Sequence, residues 1–221
     1  MKLFFSALTK FLFGILLVGV LVFLPAGTVN FVNGWVFMEV LFVPIFITGI
    51  VLLIASPELL KKRLNSKEKQ ITQKGVVAFS GLIFLAAFIV SGLDFRFGWS
   101  VMPVAAQITA VVLFIASYGL YAEVMRENAY LSRTIEVQEN QKVVDSGLYG
   151  VVRHPMYAAT IIMFLSIPII LGSWFAWAIM LIYPLIIAIR INDEEKLLSE
   201  QLEGYSDYKQ KVKYKILPFI W

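Results

Sequence analysis

The chain contains no cysteine and a single histidine. The first absence excludes disulfides, thiolate metal sites and a cysteine nucleophile, and the second excludes a histidine-rich metal centre. Charge is scarce too: 15% of the 221 residues are Asp, Glu, Lys or Arg, against 59% hydrophobic. A soluble domain of this size is about half apolar and about a quarter charged. Hydropathy this high indicates a polytopic membrane protein. No small-residue cleavage pattern follows the opening apolar stretch, so it is read as a retained first span rather than a signal peptide.

Six apolar segments stand out, over 4–24, 35–55, 75–91, 101–121, 157–171 and 174–189. A helix needs about 20 apolar residues to cross the ~30 Å hydrocarbon core. The first four come close to that length. The last two are shorter and separated only by Gly172-Ser173, which predicts a tight helical hairpin, with Pro168 and Pro184 as places for kinks. Under this arrangement all but Arg96 of the 19 lysines and arginines fall on one membrane side, including Lys67, Lys69 and Arg133. The positive-inside rule then puts both termini in the cytoplasm, and Trp35, Trp99, Trp174 and Trp177 fall at outer-side ends as an aromatic belt. The net charge of +4 is explained by this bias and calls for no nucleic-acid partner.

The expected fold is therefore all-α: a polytopic transmembrane helical bundle of about six spans, with a C-terminal helical hairpin and a cytosolic amphipathic helix. The whole of 1–221 reads as one membrane domain, with four N-terminal spans in 1–122. Two polar segments, 123–153 and 192–214, face the cytoplasm. In the second, Leu197, Leu198, Leu202, Tyr205, Tyr208 and Val212 recur at roughly helical spacing. That spacing predicts an amphipathic helix on the domain or the bilayer surface, weakened at Gly204.

Two clusters carry chemistry. Arg153-His154-Pro155-Met156-Tyr157 places a proline at the first position of the fifth span, where its missing N–H is no loss. Unpaired backbone N–H groups at such an end attract an anion, and Arg153 and His154 add donors. The same residues also describe an interfacial cluster of a snorkelling arginine, a hydrated histidine and a tyrosine anchor. Arg190 and Glu194 are four apart and share a helix face, either as a surface ion pair or as half of a binding site. The hairpin brings both clusters to one membrane face, beside the turn Asp145-Ser146-Gly147-Leu148-Tyr149, where Gly147 would allow a close backbone approach. A carboxylate pair, an arginine and a helix start together suit a ligand with both a carboxylate and an ammonium.

In order, Gly147-Leu148-Tyr149, Arg153 to Tyr157, the apolar hairpin, Arg190-x-x-x-Glu194-Glu195, Tyr205, Tyr208 and Pro218 resemble the isoprenylcysteine carboxyl methyltransferase and phospholipid methyltransferase superfamily. The likeness spans residues 128–221, a little over two fifths of the chain. It implies a methyltransferase core over 123–221 that binds S-adenosylmethionine in a cytosol-facing pocket, with no metal and with a lipid-like or small apolar acceptor arriving from the bilayer. By position, the resemblance implies that Gln138, Gln141, Lys142, Val143, Val144, Tyr149, His154, Pro155, Met156, Tyr157, Glu194 and Glu195 hold the cofactor. Arg190 would orient the acceptor's nucleophile, and Glu195 or Tyr157 would be the base where one is needed. Ala159 stands where the family often has glycine, and Gln141 where eukaryotic prenylcysteine enzymes have histidine. The acceptor stays open between an isoprenylcysteine-type carboxylate, a phospholipid amine and a small thiol. A different class, a small transporter or membrane scaffold, would draw on Glu39, the main ionisable residue inside the spans.

Overall fold

The computed structural model describes residues 2–64, 71–131 and 137–221 and is all-helical over them. Lys67, Lys69 and Arg133, counted in the charge asymmetry, lie outside the described residues. The helices are α1 (Lys2–Ala26), α2 (Val32–Ala55), α3 (Pro57–Leu64), α4 (Ile71–Phe97), α5 (Val104–Glu127), α6 (Pro155–Leu171), α7 (Trp174–Met180), α8 (Ile182–Gln201) and α9 (Tyr205–Lys211). A 3₁₀ turn, Gly147–Gly150, precedes α6.

Among the described residues five runs are long and apolar enough to cross a membrane: Leu3–Ala26, Val32–Ala55, Gln73–Phe97, Val104–Glu127 and Trp174–Gln201, the last combining α7 and α8. The 17 residues of α6 form a shorter apolar helix, about 25 Å at the α-helical rise. Helices suit this setting because they satisfy their own backbone polar groups without water. Large apolar side chains such as Leu16, Leu24, Ile54 and Leu185 point outward, so the chain is an integral membrane protein whose apolar exterior meets lipid.

Since lipid is as apolar as leucine, close packing rather than water exclusion joins the helices. The most extensive contact is between α5 and α6, followed by α1 with α4 and α4 with α7. Between helix backbones the close approach shows at Gly92 of α4, where a Cβ would sit 2.6 Å from the Val22 carbonyl oxygen of α1. Two buried clusters result. One gathers Val22, Phe37, Phe88, Phe114 and Ile167 from α1, α2, α4, α5 and α6; the other gathers Ile83, Tyr157, Met180, Tyr183 and Ile191 from α4, α6, α7 and α8.

The hairpin forms where expected, for local reasons. Gly172 ends α6 in the left-handed region at φ 86°, and Ser173 caps α7 by accepting from the Ala176 N–H at 3.1 Å. The Ser173 hydroxyl also donates to Asp94 Oδ2 at 2.5 Å, fastening the turn to the end of α4. Pro168 leaves α6 continuous, whereas the helix breaks at Leu181, three residues before Pro184. A proline has no N–H and crowds the carbonyl four residues back, here that of Met180.

The expected amphipathic helix over 192–214 is divided. Its first half continues α8 to Gln201; Gly204, at φ 81°, then reverses the chain into α9. Leu202, Tyr205, Tyr208 and Val212 pack on Val137, Val143 and Leu198, so this segment covers the domain rather than the bilayer surface.

Candidate cofactor cavity

At the end of the bundle where α5, α6 and α8 leave the apolar region, a cavity of about 90 Å³ is bounded by the start of α6, segment 141–144, the second half of α8 and α9. Gln141, Lys142, Val143, Val144, Tyr149, His154, Met156, Tyr157, Arg190 and Glu194 line it. Gln138, Pro155 and Glu195 do not.

Tyr157 lies at the centre. Its hydroxyl donates to Glu194 Oε2 at 2.7 Å and accepts from Arg190 Nε at 2.9 Å. Arg190 Nη1 donates to Gln73 Oε1 at 3.0 Å, and Gln73 Nε2 donates to Asp193 Oδ2 at 2.7 Å. Gln73 is fully buried. Its amide orientation is fixed by having an arginine on one side and a carboxylate on the other. The chain of contacts Glu194–Tyr157–Arg190–Gln73–Asp193 thus runs from the cavity through α6 and α8 to α4. Nothing in the sequence around Gln73 marks it, because its partners are more than 100 residues away.

Glu195 has a different place from its neighbour. It is 5% exposed and accepts from Arg153 Nε at 2.7 Å, with His154 Nε2 at 3.1 Å from the same oxygen. Lys209 and Lys215 stand 3.6 and 4.0 Å from its other oxygen. Arg153 Nη1 donates to the Val212 carbonyl, and the Arg153 and His154 N–H groups donate to the carbonyls of Tyr214 and Lys215. The anion expected beside the start of α6 is therefore the protein's own Glu195 carboxylate, and it ties α6 and α8 to the C-terminal tail.

The turn before α6 is likewise occupied from within. Gly147 has φ 58°, and a Cβ there would lie 1.9 Å from Glu127 Oε1. The Glu127 carboxylate accepts the Leu148 N–H at 3.0 and 3.2 Å. The close approach that glycine permits is to this side chain and not to a ligand. Gln138 stands just behind the cavity wall: it accepts from Lys62 Nζ at 2.7 Å, donates to the Tyr130 carbonyl at 2.5 Å, and its N–H donates to Gln141 Oε1 at 2.9 Å. Pro155 is buried at the first position of α6.

Further lining comes from Asn128, Tyr130, Leu131, Arg153, Leu198, Leu202, Tyr205 and Tyr208. The helical spacing of the last four was visible in sequence but pointed only to packing. Asn128 Nδ2 donates to the Tyr149 hydroxyl at 3.0 Å, and the Tyr208 hydroxyl donates to the Tyr149 carbonyl at 2.7 Å. Burial raises the Tyr149 hydroxyl to about 12, although the Asn128 hydrogen bond opposes it. Burial also pushes Tyr205 and Tyr208 well above the ordinary tyrosine value. The Tyr205 hydroxyl is buried without a hydrogen-bond partner among the described residues. A buried hydroxyl of this kind suits a polar atom of a bound molecule or water.

With that geometry in view, the comparisons with known proteins become informative. The model of the phospholipid methyltransferase family matches residues 105–204. Among solved structures the chain is similar to the eukaryotic intramembrane Ras methyltransferase, isoprenylcysteine carboxyl methyltransferase. The TM-score is 0.55 at 17% identity, over 99% of this chain and 85% of that one, which shows a shared fold. No curated protein sequence matches the chain. The matched family segment runs from α5 across the start of α6 and through α8 to Gly204, so it contains most of the cavity wall. Residues 105–204 are thus similar to the phospholipid methyltransferase family, within a polytopic fold like that of an intramembrane methyltransferase.

Proposed function

We propose that the protein transfers a methyl group from S-adenosylmethionine to a lipid-like or small apolar acceptor, with the cavity and both termini facing the cytoplasm. The observation that carries this reading is the convergence of three groups in one cavity: the Glu194 carboxylate, the Arg190 guanidinium and the unpartnered Tyr205 hydroxyl. A zwitterionic cofactor offers a partner to each. Glu194 suits its ammonium and Tyr205 its remaining polar atoms, while Val143, Val144 and Met156 supply apolar wall. His154 and Tyr149 complete the enclosure. Residues 123–221 are then the cofactor-binding core of a single domain, and 1–122 contribute through Gln73.

When bound, the cofactor supplies a methyl group on a sulfonium, transferred by in-line displacement. The protein's part is to align the nucleophile and exclude water. Arg190, held at Nε by Tyr157 and at Nη1 by Gln73, is placed to orient an anionic nucleophile by charge-assisted hydrogen bonds. Glu195 is engaged with Arg153 and His154 and lies off the cavity wall, so it stabilises the site and does not serve as its base. A carboxylate acceptor is already ionised at neutral pH and needs no base. Carboxyl methylation of an isoprenylcysteine-type molecule therefore fits this site better than methylation of a phospholipid amine or a thiol.

The transporter or scaffold reading finds less support, since Glu39 is exposed on α2 and lines neither this cavity nor the one described below. Calorimetric titration of the purified protein with S-adenosylmethionine or its demethylated product tests the reading. Heat and thermal stabilisation are expected, and both should vanish in Glu194→Ala. Absence of any binding by the parent protein would overturn the proposal. Membranes incubated with methyl-labelled cofactor would then reveal the acceptor through the labelled product.

A further inference from the structure

A second cavity, of about 470 Å³, opens between α1, α2, α3 and α5. Most of its wall is apolar, with Phe11 packed between Phe42 and Phe46 at centroid distances of 5.8 and 5.5 Å. Lys10 and Arg63 are the cations among its lining, and none of the described lining residues is acidic. Lys10 Nζ donates to the Leu64 carbonyl at 2.6 Å, which holds the end of α3 against α1. Arg63 donates to the Tyr121 hydroxyl and lies 5.0 Å over that ring. An apolar slot with two cations and no acidic residue in its described lining, on a face otherwise turned to lipid, is complementary to a bilayer lipid with a negative head group.

Among the described residues this slot shares no lining residue with the cofactor cavity. Val124, Met125, Leu131 and Tyr149 form a buried cluster between the two, with Tyr121 and Leu52 on one side and Met156 on the other. A head group at Arg63 is therefore walled off from Tyr157 and Arg190, and its owner is not the methyl acceptor. Yet α3 connects the two sites. Lys62, next to Arg63, donates to Gln138 Oε1, and Gln138 in turn holds Tyr130 and Gln141 of the cofactor cavity wall.

We propose that the α1–α2–α3–α5 cleft binds an anionic phospholipid from the bilayer, chains among the phenylalanines and phosphate at Lys10 and Arg63, and that its occupancy sets the cofactor cavity wall through Lys62–Gln138. The second half rests on the cofactor reading above; the first does not. A site that both senses the lipid and leans on the pocket couples two ligands, and such couplings typically change affinity about 5- to 150-fold.

The test uses the full chain in nanodiscs of phosphatidylcholine alone or mixed with phosphatidylglycerol. Native mass spectrometry reads retained lipid, and calorimetry reads the Kd for S-adenosylmethionine. Selective retention of phosphatidylglycerol is expected, with cofactor binding about five-fold or more tighter in its presence. Arg63→Gln, and separately the more exposed Lys10→Gln, should reduce that selectivity. Lys62→Met should keep the lipid and lose the gain in affinity. Equal retention of both lipids, or full selectivity in both cation variants, overturns the lipid site. Selective retention with a Kd indifferent to lipid overturns the coupling. Failure to bind cofactor in any membrane would sink the methyltransferase reading while the retention measurement still decides the lipid site.

Discussion

The hydroxyl of Tyr157 stands between Glu194 and Arg190, donating to the one at 2.7 Å and accepting from the other at 2.9 Å. It keeps the carboxylate and the guanidinium bridged through one oxygen, in the geometry that a zwitterion or a paired cofactor and anionic acceptor requires. Tyr157→Phe removes only that oxygen and leaves the ring in its buried packing. Hydrogen bonds to charged groups contribute about 1.5–3 kcal/mol. The variant should therefore lose roughly one to two orders of magnitude in kcat/KM. Steady-state kinetics with labelled cofactor checks this, and a parental rate would remove Tyr157 from the working site.

Adjacent glutamates should behave in opposite ways. Glu194 faces the cavity and one tyrosine hydroxyl, whereas Glu195 is buried against Arg153 and His154. Removing one partner of a buried ion pair strands the other and commonly costs about 3–5 kcal/mol. Glu195→Gln should lower the thermal unfolding midpoint in detergent markedly. Glu194→Gln should leave that midpoint near the parent's while abolishing the stabilisation that the cofactor gives. Paired melting curves with and without cofactor make the comparison. Equal destabilisation by both substitutions would contradict this division of labour.

Alkaline stability should report on the tyrosine-lined wall. The Tyr149 hydroxyl is raised from about 10 unfolded to about 12 folded, first by burial and against the hydrogen bond from Asn128. A raised folded value means the folded state favours the protonated form. Its stabilising contribution is complete below pH 10 and disappears as the pH climbs through 12. Tyr205 and Tyr208 act in the same direction. Melting midpoints from pH 8 to 12 should fall steeply above 10, and the fall should be shallower in Tyr149→Phe. An identical slope in that variant would show that Tyr149 ionises as freely folded as unfolded.

Much of the membrane architecture was legible in the sequence because it follows from local chemistry. Apolar runs of sufficient length have few alternatives in a bilayer, and Gly172-Ser173 carries both its left-handed turn and its helix cap within two residues. The residues of the ordered motif also gather in space: ten of the thirteen expected site residues line one cavity. What escaped depends on distant chain. Neighbours on a helix point about 100° apart, so the sequence could not say which of Glu194 and Glu195 faces inward; the tail at Tyr214 and Lys215, which pairs with Arg153 and His154, helps decide it. Gly147 was expected to admit a ligand to the backbone, but its close neighbour is the side chain of Glu127, 20 positions earlier. The first four spans carried no signature at all, yet one of them supplies Gln73.

That glutamine gives the sharpest test of whether Arg190 must be aimed as well as present. Gln73 accepts from Arg190 Nη1 and donates to Asp193 Oδ2, so it holds the guanidinium from the side opposite Tyr157. Gln73→Leu preserves most of the volume and removes both contacts, freeing Arg190 to turn from the cavity toward Asp193. Cofactor affinity, which in the proposed function rests on Glu194 and the wall around Tyr205, should be little changed. Turnover should drop about ten-fold or more, the usual scale for losing one charge-assisted hydrogen bond that positions a reacting partner. Gln73→Glu separates positioning from packing: it keeps an acceptor for Arg190 but sets a second carboxylate against Asp193, so it should recover turnover above the leucine variant while melting lower than the parent. Equal loss of cofactor binding and turnover in the leucine variant, with no recovery in the glutamate one, would reduce Gln73 to a packing residue.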